Sequence, residues 1–260
     1  MLHFTKFELS QEADWVTFVH GAGGSSAIWY KQLKHFKQHF NVLLIDLRGH
    51  GKSKKVDYKF LKKYTFKSIS SEVVDVLDYL KITSSHFVGI SLGTIIIREI
   101  SEHFPAKVKS MVLAGAVMQL NLKGQILMRL GVLLKSVLPY LILYRIFAFI
   151  ILPKKSHKES RNLFINEAKK LYQKEFQRWF TLVSEVNPLL RFFRIKDAGI
   201  STLYIMGSED HMFLPSIRKL VANHKSAVLK VVQKSGHVVN IDRPLEFNQL
   251  TVQFLQSSLI

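Results

Sequence analysis

The segment Gly89-Ile90-Ser91-Leu92-Gly93 sets a serine between two glycines, which makes Ser91 a candidate nucleophile. A short apolar run, His86-Phe87-Val88, precedes it. Thr94-Ile95-Ile96-Ile97-Arg98-Glu99-Ile100 follows, long enough to begin a helix that stops before Pro105. In so sharp a strand-to-helix turn the hydroxyl is pushed out of the sheet, and Gly89 and Gly93 let the turn close. A serine hydroxyl is a weak nucleophile at neutral pH and needs a base, usually histidine, oriented in turn by a carboxylate. The chain has 11 histidines. Of these, His237 lies in Ser235-Gly236-His237-Val238-Val239, after the last strand pattern and before the last helix. Asp210 lies in Met206-Gly207-Ser208-Glu209-Asp210, just past the preceding strand, and is preferred to Glu209, whose place suits a solvated loop. The order Ser91, Asp210, His237 is the nucleophile, acid, base order of this turn type.

Acyl transfer from such a serine also needs preorganised N–H donors for the developing oxyanion. Leu92 N–H, at the start of the helix after Ser91, can supply one. The glycine-rich turn His20-Gly21-Ala22-Gly23-Gly24 follows an early strand and lets the backbone approach closely. Ala22 N–H is the expected second donor, with Gly23 N–H as the neighbour that can substitute. This chemistry requires no metal and no organic cofactor.

The elements that must hold these residues alternate. Short apolar runs occur at Val16–Val19, Val42–Ile45, Met111–Ala114, Thr202–Met206 and Val228–Val232, as in parallel strands buried on both faces. Ile69–Leu80 and Pro215–His224 read as amphipathic helices. A last helix begins at Pro244 and buries Phe247, Leu250, Phe254 and Leu255. This pattern predicts an α/β fold with a doubly wound, mostly parallel sheet. It breaks between Val117 and Ala198, where helical character is continuous. Residues 1–117 and 198–260 are therefore expected to form the core, and residues 118–197 an all-helical cap over the strand ends.

The sequence resembles the α/β-hydrolase superfamily, in the branch of capped single-domain serine hydrolases that includes carboxylesterases and carbon–carbon bond hydrolases. The matching residues are His20-Gly21-Ala22-Gly23-Gly24-Ser25, Asp46-Leu47-Arg48-Gly49-His50-Gly51-Lys52-Ser53, the serine turn, Gly207-Ser208-Glu209-Asp210 and Gly236-His237. The resemblance implies an eight-stranded sheet with strand two antiparallel, although His20 comes so early that little more than one strand fits before it. The expected cap is rich in Leu, Ile and Phe, which favours a small-molecule ester substrate with an apolar acyl or alcohol part. The alternatives are a diketone acid cleaved at a carbon–carbon bond, or a receptor-like protein that binds a ligand and turns it over slowly. Ile90, where relatives often have histidine, and Thr94, where they often have a small residue, are expected to reshape the pocket floor.

Other motifs fail. Gly51-Lys52-Ser53 lacks the earlier glycine of a phosphate loop, because Asp46 stands there. Gly21 and Gly23 lack the third glycine of a dinucleotide fingerprint, whose place Ser26 holds. His35 and His39, four apart, lack a third metal ligand.

With no cysteine there is neither a disulfide nor a thiolate metal site, and Met1–Lys6 lacks the order of a secretion signal, which points to the cytoplasm. The net charge is +18. It concentrates in a loop region holding Arg48, Lys52, Lys54, Lys55, Lys59, Lys62, Lys63 and Lys67, and between Lys123 and Lys196. No nucleic-acid-binding module accompanies it. Leu130–Leu152 is strongly apolar, but Lys135, Pro139 and Arg145 interrupt the roughly 20 apolar residues that a membrane span needs. Cap helices packed on the domain, an apolar lid facing substrate, and a peripheral contact with an acidic membrane surface through Lys154, Lys155 and Lys158 are the readings this stretch leaves open.

Overall fold

The computed structural model describes residues 1–55, 64–119, 122–134 and 138–257. In chain order the N-terminal part holds β1 (Phe4–Phe7), β2 (Trp15–Val19), α1 (Tyr30–Phe36), β3 (Asn41–Ile45), α2 (Phe66–Tyr79), β4 (Ser85–Ile90), α3 (Leu92–His103) and β5 (Val108–Ala114). Five helices follow: α4 (Leu122–Leu134), α5 (Tyr140–Ile151), α6 (Lys158–Ala168), α7 (Gln173–Ser184) and α8 (Asn187–Ile195). The chain then returns to β6 (Thr202–Gly207), α9 (Leu214–Val221), β7 (Ala227–Val232), the short α10 (Val239–Asp242) and α11 (Pro244–Ser257).

Among the described residues the strands form one seven-stranded sheet, in the order β1-β3-β2-β4-β5-β6-β7. Every pairing is parallel except β1 with β3, where Phe4 faces Ile45 and Phe7 faces Val42. The eight-stranded expectation is thus corrected to seven. Only 19 residues precede His20, and these supply β1 and β2, so the antiparallel strand is the first strand rather than the second.

Side chains alternate across the sheet with the period of two that pleating imposes. On one face Leu43, Phe87, Leu113 and Tyr204 pack with Ile69 and Val73 of α2, Ile95 and Ile96 of α3 and Ile217 of α9. On the other, Val42, Val88, Val112 and Leu203 pack with Phe36 of α1 and with Phe247, Val252 and Leu255 of α11. Leu250 and Phe254 of α11 are only partly buried against that cluster. The strands β3, β4 and β6 are buried at every position, as central strands covered on both faces must be, whereas the edge strand β7 is partly open. The helix α2 begins three residues before the hydrophobic pattern. The Thr65 hydroxyl accepts from Ser68 N–H at 3.0 Å, and the Ser68 hydroxyl accepts from Thr65 N–H at 3.2 Å.

The five helices between β5 and β6 make an all-helical cap. Its apolar stretch is split by Pro139, which sits at the N-cap of α5. Among the described residues no helix is long and apolar enough to cross a membrane. Lys135, Lys59, Lys62 and Lys63 lie outside the described residues. Arg48 does not belong to a basic surface: it is buried, its Nε 3.0 Å from Glu72 Oε2, and its other nitrogen also meets that carboxylate. His39 lies beyond the end of α1, and no group of three metal-ligating side chains occurs among the described residues.

Candidate active site

Ser91 lies at the turn from β4 into α3 with φ 54° and ψ −121°, a region that costs a residue with a β-carbon about 1–3 kcal/mol. The surroundings hold it there. Its N–H donates to Ala114 O at 3.0 Å, and its carbonyl accepts from Thr94 N–H at 3.0 Å and from the Thr94 hydroxyl at 2.6 Å. Gly93 lets α3 press onto the end of β2, since a β-carbon there would stand 2.3 Å from Val19 O. Gly89 meets Ile97, and Gly21 lies against the Ser91 side chain, so the motif glycines surround the serine.

The Ser91 hydroxyl is 2.9 Å from His237 Nε2, and His237 Nδ1 is 2.8 Å from Asp210 Oδ2. An ionised carboxylate can only accept, so it selects the tautomer with the proton on Nδ1 and leaves Nε2 to accept from the serine. Asp210 is 1 % exposed, and its second oxygen accepts from Phe213 N–H at 3.1 Å. Phe213 in turn packs on the imidazole, with ring centroids 4.9 Å apart. Glu209 points elsewhere, to His157 at 2.8 Å and Lys154 at 2.9 Å. His211, beside Asp210, is exposed.

Two peptide groups of the turn after β2 are clamped. Gly21 O accepts from His20 Nδ1 at 2.8 Å and from Gly24 N–H at 3.1 Å. Because a trans peptide points its N–H opposite its carbonyl, these bonds turn Ala22 N–H the other way. His20 is fixed in turn, as its Nε2 accepts from Leu47 N–H at 3.0 Å. Gly23, at φ +70°, donates its N–H to His50 Nε2 at 2.9 Å, while Ala22 O accepts from the Tyr144 phenol at 2.5 Å. The Gly23 N–H is therefore occupied and cannot substitute for Ala22. No partner accepts from Ala22 N–H or Leu92 N–H among the described residues. Burial depresses both imidazoles: His20 falls below its ordinary value and His50 drops to about 3, so each stays neutral. Asp46 ties this turn to the next loop, accepting from Ser26 N–H at 2.7 Å and Lys52 N–H at 2.9 Å. Burial opposes its charge, but these bonds prevail and hold its pKa below the usual carboxylate value.

Ser91, His237, Ala22 and Leu92 line a cavity of about 170 Å³ beneath the cap. Its walls include Met128, Tyr144, Phe147, Phe176, Trp179 and Phe180. No lysine, arginine, aspartate or glutamate lines it among the described residues. The Trp179 indole N–H is spent on Arg48 O at 3.0 Å and the Tyr144 phenol on Ala22 O. Neither Ile90 nor Thr94 reaches the cavity, contrary to expectation: Ile90 points to the opposite face of the sheet, and Leu92 and Ile95 make the floor. Sequence reasoning missed His50 and Tyr144. The turn Asp46–Ser53 offered a signal for His50; Tyr144 is one aromatic among many in an apolar stretch.

Residues 14–134 match the α/β-hydrolase fold family. The chain is 26 % identical over 269 residues to a protein of Acinetobacter baylyi named "Putative carbamate hydrolase RutD", covering 99 % of both chains. It is 31 % identical to 3-oxoadipate enol-lactonase 1 of the same organism, over 32 % of this chain and 29 % of that one. The crystal structure of a hydrolase from Pseudomonas aeruginosa superimposes with a TM-score of 0.82 at 22 % identity, covering 98 % of this chain and 94 % of that one. The mostly parallel sheet with helices on both faces agrees with these matches, and the chain has the α/β-hydrolase fold.

Proposed function

We propose that this chain is a serine hydrolase that cleaves uncharged esters with an apolar acyl or alcohol part. One observation carries the reading: a hydrogen-bonded Ser91–His237–Asp210 relay opens into a cavity whose walls are apolar and, among the described residues, carry no lysine or arginine. Ser91 Oγ attacks the ester carbonyl carbon while its proton passes to His237 Nε2. Asp210 stabilises the imidazolium, and Ala22 and Leu92 N–H receive the negative charge that forms on the carbonyl oxygen. A donor in that position supplies about 2.7–4 kcal/mol of transition-state stabilisation. The intermediate collapses, the alcohol leaves with the proton from His237, and an acyl-serine remains. Water then adds to that ester with His237 as base, and the acid departs.

The relatives' printed names cover a carbamate and an enol-lactone. Like esters, these have a carbonyl bearing a heteroatom leaving group, which is what such a relay attacks. A diketone acid fits less well, because its carboxylate would enter an apolar cavity in which no lysine or arginine among the described residues meets it. The test is labelling with a fluorophosphonate, lost in Ser91→Ala, together with a chain-length series of esters run beside a diketone acid. We expect kcat/KM to rise by up to about fourfold per added methylene until the cavity is full. Failure of the intact protein to label, or turnover of the diketone acid in preference to every ester, would overturn the proposal.

A further inference from the structure

The helices α4 and α5 are apolar on both sides. Their inner side chains, Met128, Tyr144 and Phe147, line the cavity. Their outer sides carry Ile126, Leu130 and Leu133 on α4 and Ile142, Ile146 and Phe149 on α5, all exposed, with Leu133 73 % and Phe149 56 % open. Each set repeats at steps of four and then three residues, so each forms a single stripe along its helix. The two helices are neighbours, since a β-carbon on Gly131 would lie 3.0 Å from the Phe147 ring. A helix apolar all round is normally buried, and contiguous exposed apolar surface marks a contact site.

The stretch that carries the stripes has charges of one sign, although Lys154 also meets Glu209 from the loop after β6. No aspartate or glutamate occurs anywhere from residue 103 to residue 158. Arg129 and Arg145 are exposed on the same helices, and Lys154, Lys155 and Lys158 are exposed just after α5. The Arg161 guanidinium stands 4.5 Å from the centre of the Phe149 ring, so a cation adjoins the stripe itself. A second copy of this chain, with net charge +18, would bring cations against cations. A surface that is apolar inside and anionic at its boundary satisfies both features at once.

We propose that the outer faces of α4 and α5 dock on an anionic lipid bilayer. The apolar stripes enter the boundary between headgroups and acyl chains, and the flanking arginines and lysines meet the lipid phosphates. The helices lie on the bilayer and do not cross it. Docking is separate from the reaction assigned to Ser91 and is read by binding alone. Its consequence for that reaction is that an apolar ester can pass from the bilayer towards the cavity behind the same two helices.

The experiment is flotation of the full chain with phosphatidylcholine vesicles, with and without phosphatidylserine, at low and high salt. We expect retention only with phosphatidylserine, weakened by salt. The double substitution Ile146→Gln with Phe149→Gln should weaken binding about tenfold or more. Arg129→Gln and Arg145→Gln should each weaken it about fivefold. Leu245→Gln, at a 78 % exposed residue of α11, should change nothing. Circular dichroism melts show that each variant is folded. Absence of binding at low salt, unaltered binding by the folded double variant, or equal loss with Leu245→Gln would overturn the proposal. So would a dimer in sedimentation velocity that the double variant dissolves, because the face would then belong to a second copy.

Discussion

The phenol of Tyr144, carried by α5 of the cap, donates a 2.5 Å hydrogen bond to the carbonyl of Ala22, carried by the turn after β2. With Gly23 N–H held by His50, both ends of the Ala22–Gly23 peptide are fixed, one by the core and one by the cap. The cap thus helps to hold the peptide that follows the candidate oxyanion donor Ala22 N–H. Tyr144→Phe removes the donor to a half-buried carbonyl, at about 1 kcal/mol. We expect kcat on a soluble ester to fall about tenfold with KM nearly unchanged. A change in KM alone would show that Tyr144 merely shapes the wall.

Asp210 and Glu209 are adjacent in sequence but point to different partners, His237 for the first and His157 with Lys154 for the second. Asp210→Asn should lower kcat by about 10⁴-fold through the wrong imidazole tautomer. Glu209→Gln should leave kcat within about twofold and lower stability by roughly 1 kcal/mol, as a partly open ion pair. Steady-state kinetics with urea unfolding of the two variants separates these roles.

Acid should destabilise the fold through its buried imidazoles. His20 and His50 take up protons in the unfolded chain near the ordinary value of 6.5, but in the folded chain only at lower pH, about 3 for His50. The unfolded state therefore binds more protons below 6.5. Their contribution is complete above that pH and is lost as pH falls towards 3, at up to about 1.4 kcal/mol per pH unit for each imidazole. Urea midpoints measured across this range should fall with pH, and the slope should be shallower in His50→Ala. An identical slope would assign the effect to other groups.

Phe147 forms part of the cavity wall and packs on Phe180 at 5.7 Å between ring centroids. Phe147→Ala should widen the cavity and move the preferred acyl chain to longer esters, at a cost of about 3 kcal/mol in stability or less, because the ring is only partly buried. The same chain-length series run on the variant measures the shift.

The α/β class, the strands and the approximate helices were legible because buried strands and amphipathic helices leave periodic apolar patterns. Ser91, Asp210 and His237 were legible for a different reason. Each sits just past the carboxyl end of a strand, and a parallel sheet brings those ends to one edge. Contacts between side chains distant in sequence were not legible. Nothing in the order of residues brings Tyr144 to Ala22, 122 positions earlier. The same holds for His50, which takes up the Gly23 N–H and leaves Ala22 as the free donor, and for Ile90, which turns away from the cavity. Sequence by itself determined the elements and the chemistry that their ends could carry, because local periodicity and turn geometry are short-range. Only the tertiary structure decided which donors are free among the described residues, which walls enclose the serine and which apolar side chains of α4 and α5 are exposed, since those outcomes depend on packing between segments far apart in the chain.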